Sequence, residues 1–263
     1  MAGKLDGKVA IVTGAGSSGP GLGTGKATSV LLAREGAKVV LVDKFEERAK
    51  ETLEMIDADG GEATIVTGDL AEVPTTRRVV DEAVATYGRV DILVNNAAIP
   101  ASVSLLDTTD DEWQRFLAIN LTAPFMLCRA AIPVMIESGG GSIVNISSVA
   151  ALRGNGGTGC SAYAATKAGL EGLMIDVADA YGTQGIRINC VAPGLIATPM
   201  RDEAVRSKGG DPSKLDLTYK TSLGIEGDGW DIARAVLFLA GPDGRYITGV
   251  MLPVDGGAVA RSH

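Results

Sequence analysis

The sequence predicts an α/β fold: a doubly wound parallel sheet of about seven strands with helices on both faces. Three observations lead there. Short β-branched runs alternate with longer stretches of helical periodicity from one end of the chain to the other. Most of those runs are nearly continuous in apolar residues, as strands covered on both faces should be. Glycine supplies 35 of the 263 residues, well above the usual ~7%, and it gathers at turns, as many tight strand-to-helix junctions require.

Taken in order, the strand runs are 9–13, 38–42, 63–66, 91–94, 143–146, 186–191 and 250–254. Between the first two, Ala27, Val30, Leu31 and Arg34 fall at helical spacing within 26–35. No repeat, low-complexity tract or linker divides the chain, so residues 1–263 are expected to form one domain. Residues 199–229 break the rhythm. They are rich in charge and glycine and show no strand pattern, and a structureless segment that long is expected to be a substrate-covering flap.

Composition narrows the function. Net charge is −8 and the sequence pI about 4.8, with Lys and Arg spread thinly, so no nucleic-acid partner is expected. No unbroken apolar run reaches the ~18 residues of a membrane span, and residues 1–8 are polar, unlike a secretory signal. Cys128, Cys160 and Cys190 are widely spaced and match no metal-ligand pattern. A cytoplasmic protein with neither membrane partner nor metal is the expectation.

The first strand runs into Thr13-Gly14-Ala15-Gly16-Ser17-Ser18-Gly19-Pro20-Gly21-Leu22-Gly23-Thr24-Gly25. Gly14, Gly16 and Gly19 satisfy G-x-G-x-x-G, a weak match in so glycine-rich a chain. Its place after a strand and before a helix makes it the phosphate turn of a Rossmann-type unit. Glycines let backbone N–H groups approach a pyrophosphate, and the positive end of the helix dipole favours the charge. A flexible turn needing positive φ is the plainer reading. Pro20 cannot lie inside the helix, which should start near Thr24. Asp43 closes the second strand, 20 residues after Gly23. A carboxylate there accepts from both ribose hydroxyls of an adenosine and repels a 2′-phosphate, so NAD is favoured over NADP. Lys44 complicates this, because an ammonium tolerates a phosphate. An Asp at a strand end is also an ordinary helix N-cap.

Tyr163 and Lys167 stand four apart on one face of a helical stretch. A nearby ammonium stabilises a phenolate and lowers the tyrosine pKa from its usual ~10, which makes a base usable near neutrality. The plainer alternative is a core tyrosine beside a lysine snorkelling to solvent. Ser147 and Ser148 end the buried-strand pattern 141–146. Strand carboxyl ends are where open α/β sheets bind ligands, although a serine there also serves as a cap.

These residues, with Gly68-Asp69-Leu70, Asn95-Asn96-Ala97-Ala98, Ala118-Ile119-Asn120-Leu121, Pro193-Gly194, Thr198 and Asp255-Gly256-Gly257, resemble the short-chain dehydrogenase/reductase family over nearly the whole chain. The resemblance implies hydride transfer between NAD(H) and a secondary alcohol or ketone. Tyr163 would be the general acid or base. Lys167 would lower its pKa and bind the nicotinamide ribose, Ser148 would polarise the substrate oxygen, and Asn120 would hold a relay water. Gly14, Gly16, Gly23, Thr24 and Gly25 would cradle the cofactor with Asp43. Asp69 and Leu70 would flank the adenine, Asn96 and Ala97 would border the cofactor, and Pro193, Ile196 and Thr198 would lie at the nicotinamide. It also implies a homotetramer, with a dimer as the next choice.

Two departures stand out. Eight residues separate Gly14 from Gly23 where three are usual in the family, and fifteen positions separate Ser148 from Tyr163 where thirteen are common. Ser147 is the lesser candidate for the catalytic serine. Cys160 is expected to be structural, and His263 a frayed terminus. The alternatives are an NADPH-dependent ketoreductase of the 3-oxoacyl type, favoured by basic residues on the flap such as Arg201, Arg206 and Lys214, and a cofactor-binding regulator without turnover. The flap and residues 150–161 are expected to shape the substrate pocket.

Overall fold

A computed structural model describes residues 3–100, 103–154, 161–207 and 209–261. The elements run β1 (Val9–Thr13), α1 (Thr24–Arg34), β2 (Lys38–Asp43), α2 (Glu46–Ala58), β3 (Glu62–Thr67), α3 (Val73–Tyr87), β4 (Ile92–Asn95), α4 (Asp110–Leu117), α5 (Ala123–Glu137), β5 (Gly141–Ile146), α6 (Ser161–Tyr181), β6 (Ile186–Pro193), α7 (Pro199–Ser207), α8 (Gly229–Ala240) and β7 (Met251–Val254). All seven strands are parallel, in the order β3-β2-β1-β4-β5-β6-β7. Each of the seven apolar runs became a strand, with ends shifted by a residue or two.

The strand order explains the apolar runs. β1 lies between β2 and β4, so Val9, Ala10, Ile11 and Val12 are covered on both sides of the sheet. One core fills the side of α3, α5 and α6 around Leu93, Leu127, Ile143 and Leu170. The other fills the side of α1, α2 and α8 around Leu32, Leu41, Ile56 and Val236. Order reverses between β1 and β4, and such a reversal opens a crevice at the carboxyl ends of the strands.

Helix α1 begins at Thr24, as Pro20 required. α8 begins with a reciprocal cap: Asp228 accepts from the Trp230 and Asp231 N–H groups, while the Asp231 carboxylate accepts from the Asp228 N–H. α4, a π-helical turn over Ala118–Thr122 and α5 continue as one helix of 28 residues, Asp110–Glu137. Among the described residues it is the one helix long and apolar enough in composition to cross a bilayer, and half of its most apolar window is buried inside the protein. The segment 199–229 differs from expectation. It holds α7 and short 3-10 turns at Pro212–Lys214 and Thr218–Lys220, where a structureless flap was expected. Pro199 at the first helical position and Asp202 in the first turn suit a helix start, a local signal that the charge-rich composition obscured.

At the opposite edge of the sheet from the crevice, Asp91 is 4% exposed and joins β1 to β4. Its carboxylate accepts from the Val9 N–H at 3.0 Å, from Lys8 at 3.1 Å and from Arg89 at 2.6 and 2.8 Å. Burial works to raise its pKa, but Arg89, the Val9 N–H and Lys8 together outweigh burial and hold the carboxyl below its ordinary value. A carboxyl whose folded pKa lies below its unfolded one contributes stability that is present above the unfolded value of ~3.9 and is lost as pH falls through the folded value. Asp91→Ala is therefore expected to lower the unfolding free energy by about 3 kcal/mol at neutral pH. Urea denaturation of both proteins at pH ~7 and pH ~3 checks this, and the gap should narrow at the lower pH.

Candidate active site

A cavity of about 660 Å³ opens at the carboxyl ends of the strands. Its size lies within the usual range for ligand pockets. Each cofactor residue expected from the sequence lines it: Gly14, Gly16, Gly23, Thr24, Gly25, Asp43, Asp69, Leu70, Asn96, Ala97, Tyr163, Lys167, Pro193, Ile196 and Thr198. Ser147 and Ser148 do so as well. Asn120 lies behind the wall. Cys160, His263 and half of 150–161 (residues 155–160) fall outside the described residues.

The glycine turn is shaped by close approach. A Cβ on Gly25 would lie 2.0 Å from the Gly14 carbonyl oxygen and 2.4 Å from the Asn96 side-chain nitrogen, so the first turn of α1 rests directly on the end of β1. Gly14 adopts φ 62°, a left-handed conformation that favours glycine. Asn96 locks this corner. Its amide donates to the Thr13 and Gly14 carbonyls at 2.8 and 3.0 Å, and its oxygen accepts from the Thr24 hydroxyl at 2.7 Å. The extra residues of the turn fold outward. Ser17 Oγ accepts from the Gly23 N–H at 2.9 Å, and a Cβ on Gly21 would meet Pro199 of α7 at 3.5 Å. Gly23 is the N-cap of α1 and has no side chain of its own to cap it. The helix N-terminus therefore faces the cavity with the donors that a pyrophosphate needs.

Asp43 accepts from the Gly16 N–H and the Phe45 N–H, both at 3.0 Å. It thus joins the glycine turn to the segment before α2, but the N-cap of that helix is Phe45 and no side chain caps it, so Asp43 does not take the capping role weighed against ribose binding. Lys44 turns towards Asp69, with Nζ 2.7 Å from its carboxylate. Met200 of the expected flap lines the cavity, and so do Phe45, Arg48, Ile99 and Arg115, which were missed in the sequence. Arg48 stacks on the Phe45 ring at 4.3 Å. Their one sequence signal is position, since Phe45 and Arg48 follow directly on Asp43 at the start of α2.

At the inner end, Lys167 is 1% exposed. Its Nζ donates to the Ile146 carbonyl at 2.6 Å and sits 5.6 Å from the centre of the Tyr163 ring. Burial pulls its pKa from 10.5 down to about 8. The plainer reading of a lysine reaching solvent does not hold. The two serines separate by partner. Ser147 is buried and donates to the Lys167 carbonyl at 3.0 Å, whereas Ser148 accepts from the Ala150 N–H at 3.1 Å and keeps its hydroxyl hydrogen. Asn120 is fully buried in the π-helical turn, a distortion frequent at functional sites. Its side chain accepts from the Ile99 N–H at 2.9 Å and donates to the Ile99 carbonyl at 3.1 Å and to Thr166 Oγ at 3.4 Å. The amide thus holds the 96–100 wall.

Comparison with known proteins agrees with this arrangement. A family model described as enoyl-(acyl carrier protein) reductase matches residues 20–259. A (3R)-3-hydroxyacyl-CoA dehydrogenase of Mus musculus is 38% identical, over 97% of each chain. A 3-oxoacyl-[acyl-carrier-protein] reductase of Thermotoga maritima is 35% identical, over 97% of this chain and 99% of its own. Carveol dehydrogenase of Mycobacterium avium, solved in complex with NAD, superposes with a TM-score of 0.90 at 31% identity, covering 98% of this chain and 100% of that one. Sequence, fold and relatives converge: the chain belongs to the short-chain dehydrogenase/reductase family of oxidoreductases, whose members bind a nicotinamide cofactor.

Proposed function

We propose that the chain is an NAD(H)-dependent dehydrogenase/reductase of a neutral secondary alcohol or ketone, with Tyr163 as general acid or base. The observation that carries this reading is the buried Lys167 ammonium beneath the Tyr163 ring. A cation with little water around it acts strongly on a neighbouring phenolate. Tyr163 takes the hydroxyl proton in oxidation and returns it to the carbonyl oxygen in reduction. Ser148, with its O–H hydrogen uncommitted, donates to that same oxygen. Ser147 instead fixes the α6 backbone at Lys167. The nicotinamide, when bound, supplies the hydride acceptor or donor.

The glycines and the α1 N-terminus hold the pyrophosphate. Asp43 uses two acceptor positions on Gly16 and Phe45, which leaves about two of a carboxylate's four for the ribose hydroxyls. This supports NAD(H), as does the NAD bound to the carveol dehydrogenase. A neutral substrate is supported by the apolar residues Val149, Ala150, Leu195 and Met200 in the cavity lining. Arg201, also in that lining, is already paired with Asp202 at 2.7 Å and with Glu226. Residues 199–229 act as the cover. Phe125 and Ile175 on α5 and α6, 45% and 57% exposed, support a homotetramer. Cys128 and Cys190 are free, buried thiols, which suits a reducing cytoplasm.

The Thermotoga relative is compatible with a second reading, an NADPH-dependent 3-oxoacyl reductase. Pairing of two flap cations weighs against docking of an acidic carrier there: beside Arg201, Lys214 lies 3.5 Å from Asp211. A regulator without turnover has no use for a costly buried ammonium.

Fluorescence titration with NADH and NADPH tests the cofactor, with NADH expected to bind more tightly; tighter NADPH brings the second reading forward. Tyr163→Phe is expected to keep NADH binding and to lower kcat by about 10²- to 10⁴-fold on any secondary alcohol the enzyme oxidises. Unchanged turnover removes Tyr163 from the mechanism. Lys167 has a folded pKa below its unfolded one, so its charged form destabilises the fold and stability rises with pH between about 8 and 10.5. Lys167→Met should raise the unfolding free energy of the cofactor-free protein at neutral pH by on the order of 1–3 kcal/mol while abolishing turnover. Chemical denaturation beside a rate assay measures both, and a less stable variant would count against a strained catalytic cation.

A further inference from the structure

Lys44 is the sequence feature that the NAD(H) reading leaves unexplained. It follows Asp43 directly and lines the same cavity, where an ammonium would suit a 2′-phosphate. Register decides where it goes. β2 and β3 end together, with Asp43 paired to Thr67 and the Gly68 N–H bonded to the Asp43 carbonyl at 3.0 Å. The loops that follow therefore emerge side by side, with Lys44 and Asp69 facing across them at 2.7 Å. Asp69 is held in place by its own turn, its other oxygen accepting from the Ala71 N–H at 3.0 Å. The other cations of this end are Arg48, stacked on Phe45 at 4.3 Å, Arg115 of α4, which lies near enough to act on Asp69 by charge, and Arg78 of α3, which donates to the Thr67 carbonyl and is paired with Glu82, both at 2.7 Å.

A 2′-phosphate needs a counter-cation and meets repulsion from the Asp43 carboxylate. Lys44, adjacent to Asp43 in the chain, is the cation best placed to supply that charge. We propose that Asp69 is a specificity-determining residue that acts through Lys44: by engaging its ammonium across the β2–β3 edge, it denies a 2′-phosphate its counter-charge and so favours NAD(H). This inference rests on the NAD(H) reading above. Asp69 thereby acts at a distance from the phosphate, beyond any contact it makes with the adenine. The ion pair is partly exposed, 47% on the lysine side and 26% on the aspartate side, so its effect is that of a modest bias and not of an absolute barrier.

The test is a double-mutant cycle read by equilibrium binding. NADH and NADPH are titrated by fluorescence into wild type, Asp69→Asn, Lys44→Ala and the double variant. Asp69→Asn keeps a carbonyl acceptor for Ala71 and releases Lys44. It should shift the NADH/NADPH affinity ratio towards NADPH by about fivefold, the scale of one exposed ion pair. That shift should vanish in the double variant, because the freed ammonium is gone. An unchanged ratio in Asp69→Asn overturns the proposal. A shift that survives Lys44→Ala also overturns it, since the gain then comes from lost repulsion by Asp69 alone. If wild type itself binds NADPH more tightly, the NAD(H) reading fails, and that result is separate from both of the others.

Discussion

The site depends on how closely α1 approaches the end of β1. Gly25 has no room for even one added carbon against the Gly14 carbonyl, and Asn96 reaches from the end of β4 to hold Thr13, Gly14 and Thr24 in one corner. Because β1 and β4 are neighbours at the point where strand order reverses, this corner is also where the crevice begins. The helix N-terminus, the carboxylate of Asp43 and the wall at 96–100 are all referenced to it. The longer glycine turn leaves the contact intact. Its additional residues loop outward against Pro199 and are tied back by Ser17, so length is absorbed where it does not disturb the cradle.

Four of the cations that line the crevice, Lys44, Arg48, Lys167 and Arg201, are buried or engaged by a partner, and the fifth, Arg115, is exposed on α4. Lys167 is fully buried and donates to the Ile146 carbonyl, and burial brings its pKa to about 8. Lys44 and Arg201 are paired with carboxylates, and Arg48 stacks on an aromatic ring. The contrast matters because a solvated, paired cation contributes little field, whereas a desolvated one acts strongly on its immediate neighbour. Of these cations Lys167 is the one withdrawn from water, and it lies against the Tyr163 ring. At the far end of the same strands, Asp91 is also buried but surrounded by three donor groups. It ties the sheet together without a comparable imbalance.

Much of this was legible in the sequence. Seven apolar runs, a glycine-rich turn after the first of them and a Tyr163/Lys167 pair at helical spacing led to the sheet, the crevice and much of its polar lining. Each is a local signal: burial on both faces writes a continuous apolar strand, and a helix repeats every 3.6 residues. Less legible were α7, hidden in a charged segment, and the cavity-lining roles of Phe45, Arg48 and Arg115. These come from separate elements and meet only when the chain is folded.

The sequence by itself determined the parallel α/β architecture, the place where α1 starts and the set of polar residues gathered at the strand ends, because propensity, periodicity and the missing N–H of Pro20 are properties of neighbouring residues. Tertiary structure alone decided which partner each polar group takes. It assigned Ser147 to the α6 backbone and left the Ser148 hydrogen available, turned the Asn120 amide onto Ile99, buried Lys167 and drew Lys44 to Asp69. The physical reason is that a hydrogen bond or an ion pair depends on distance and desolvation, and both are set by strands brought together from far apart in the chain.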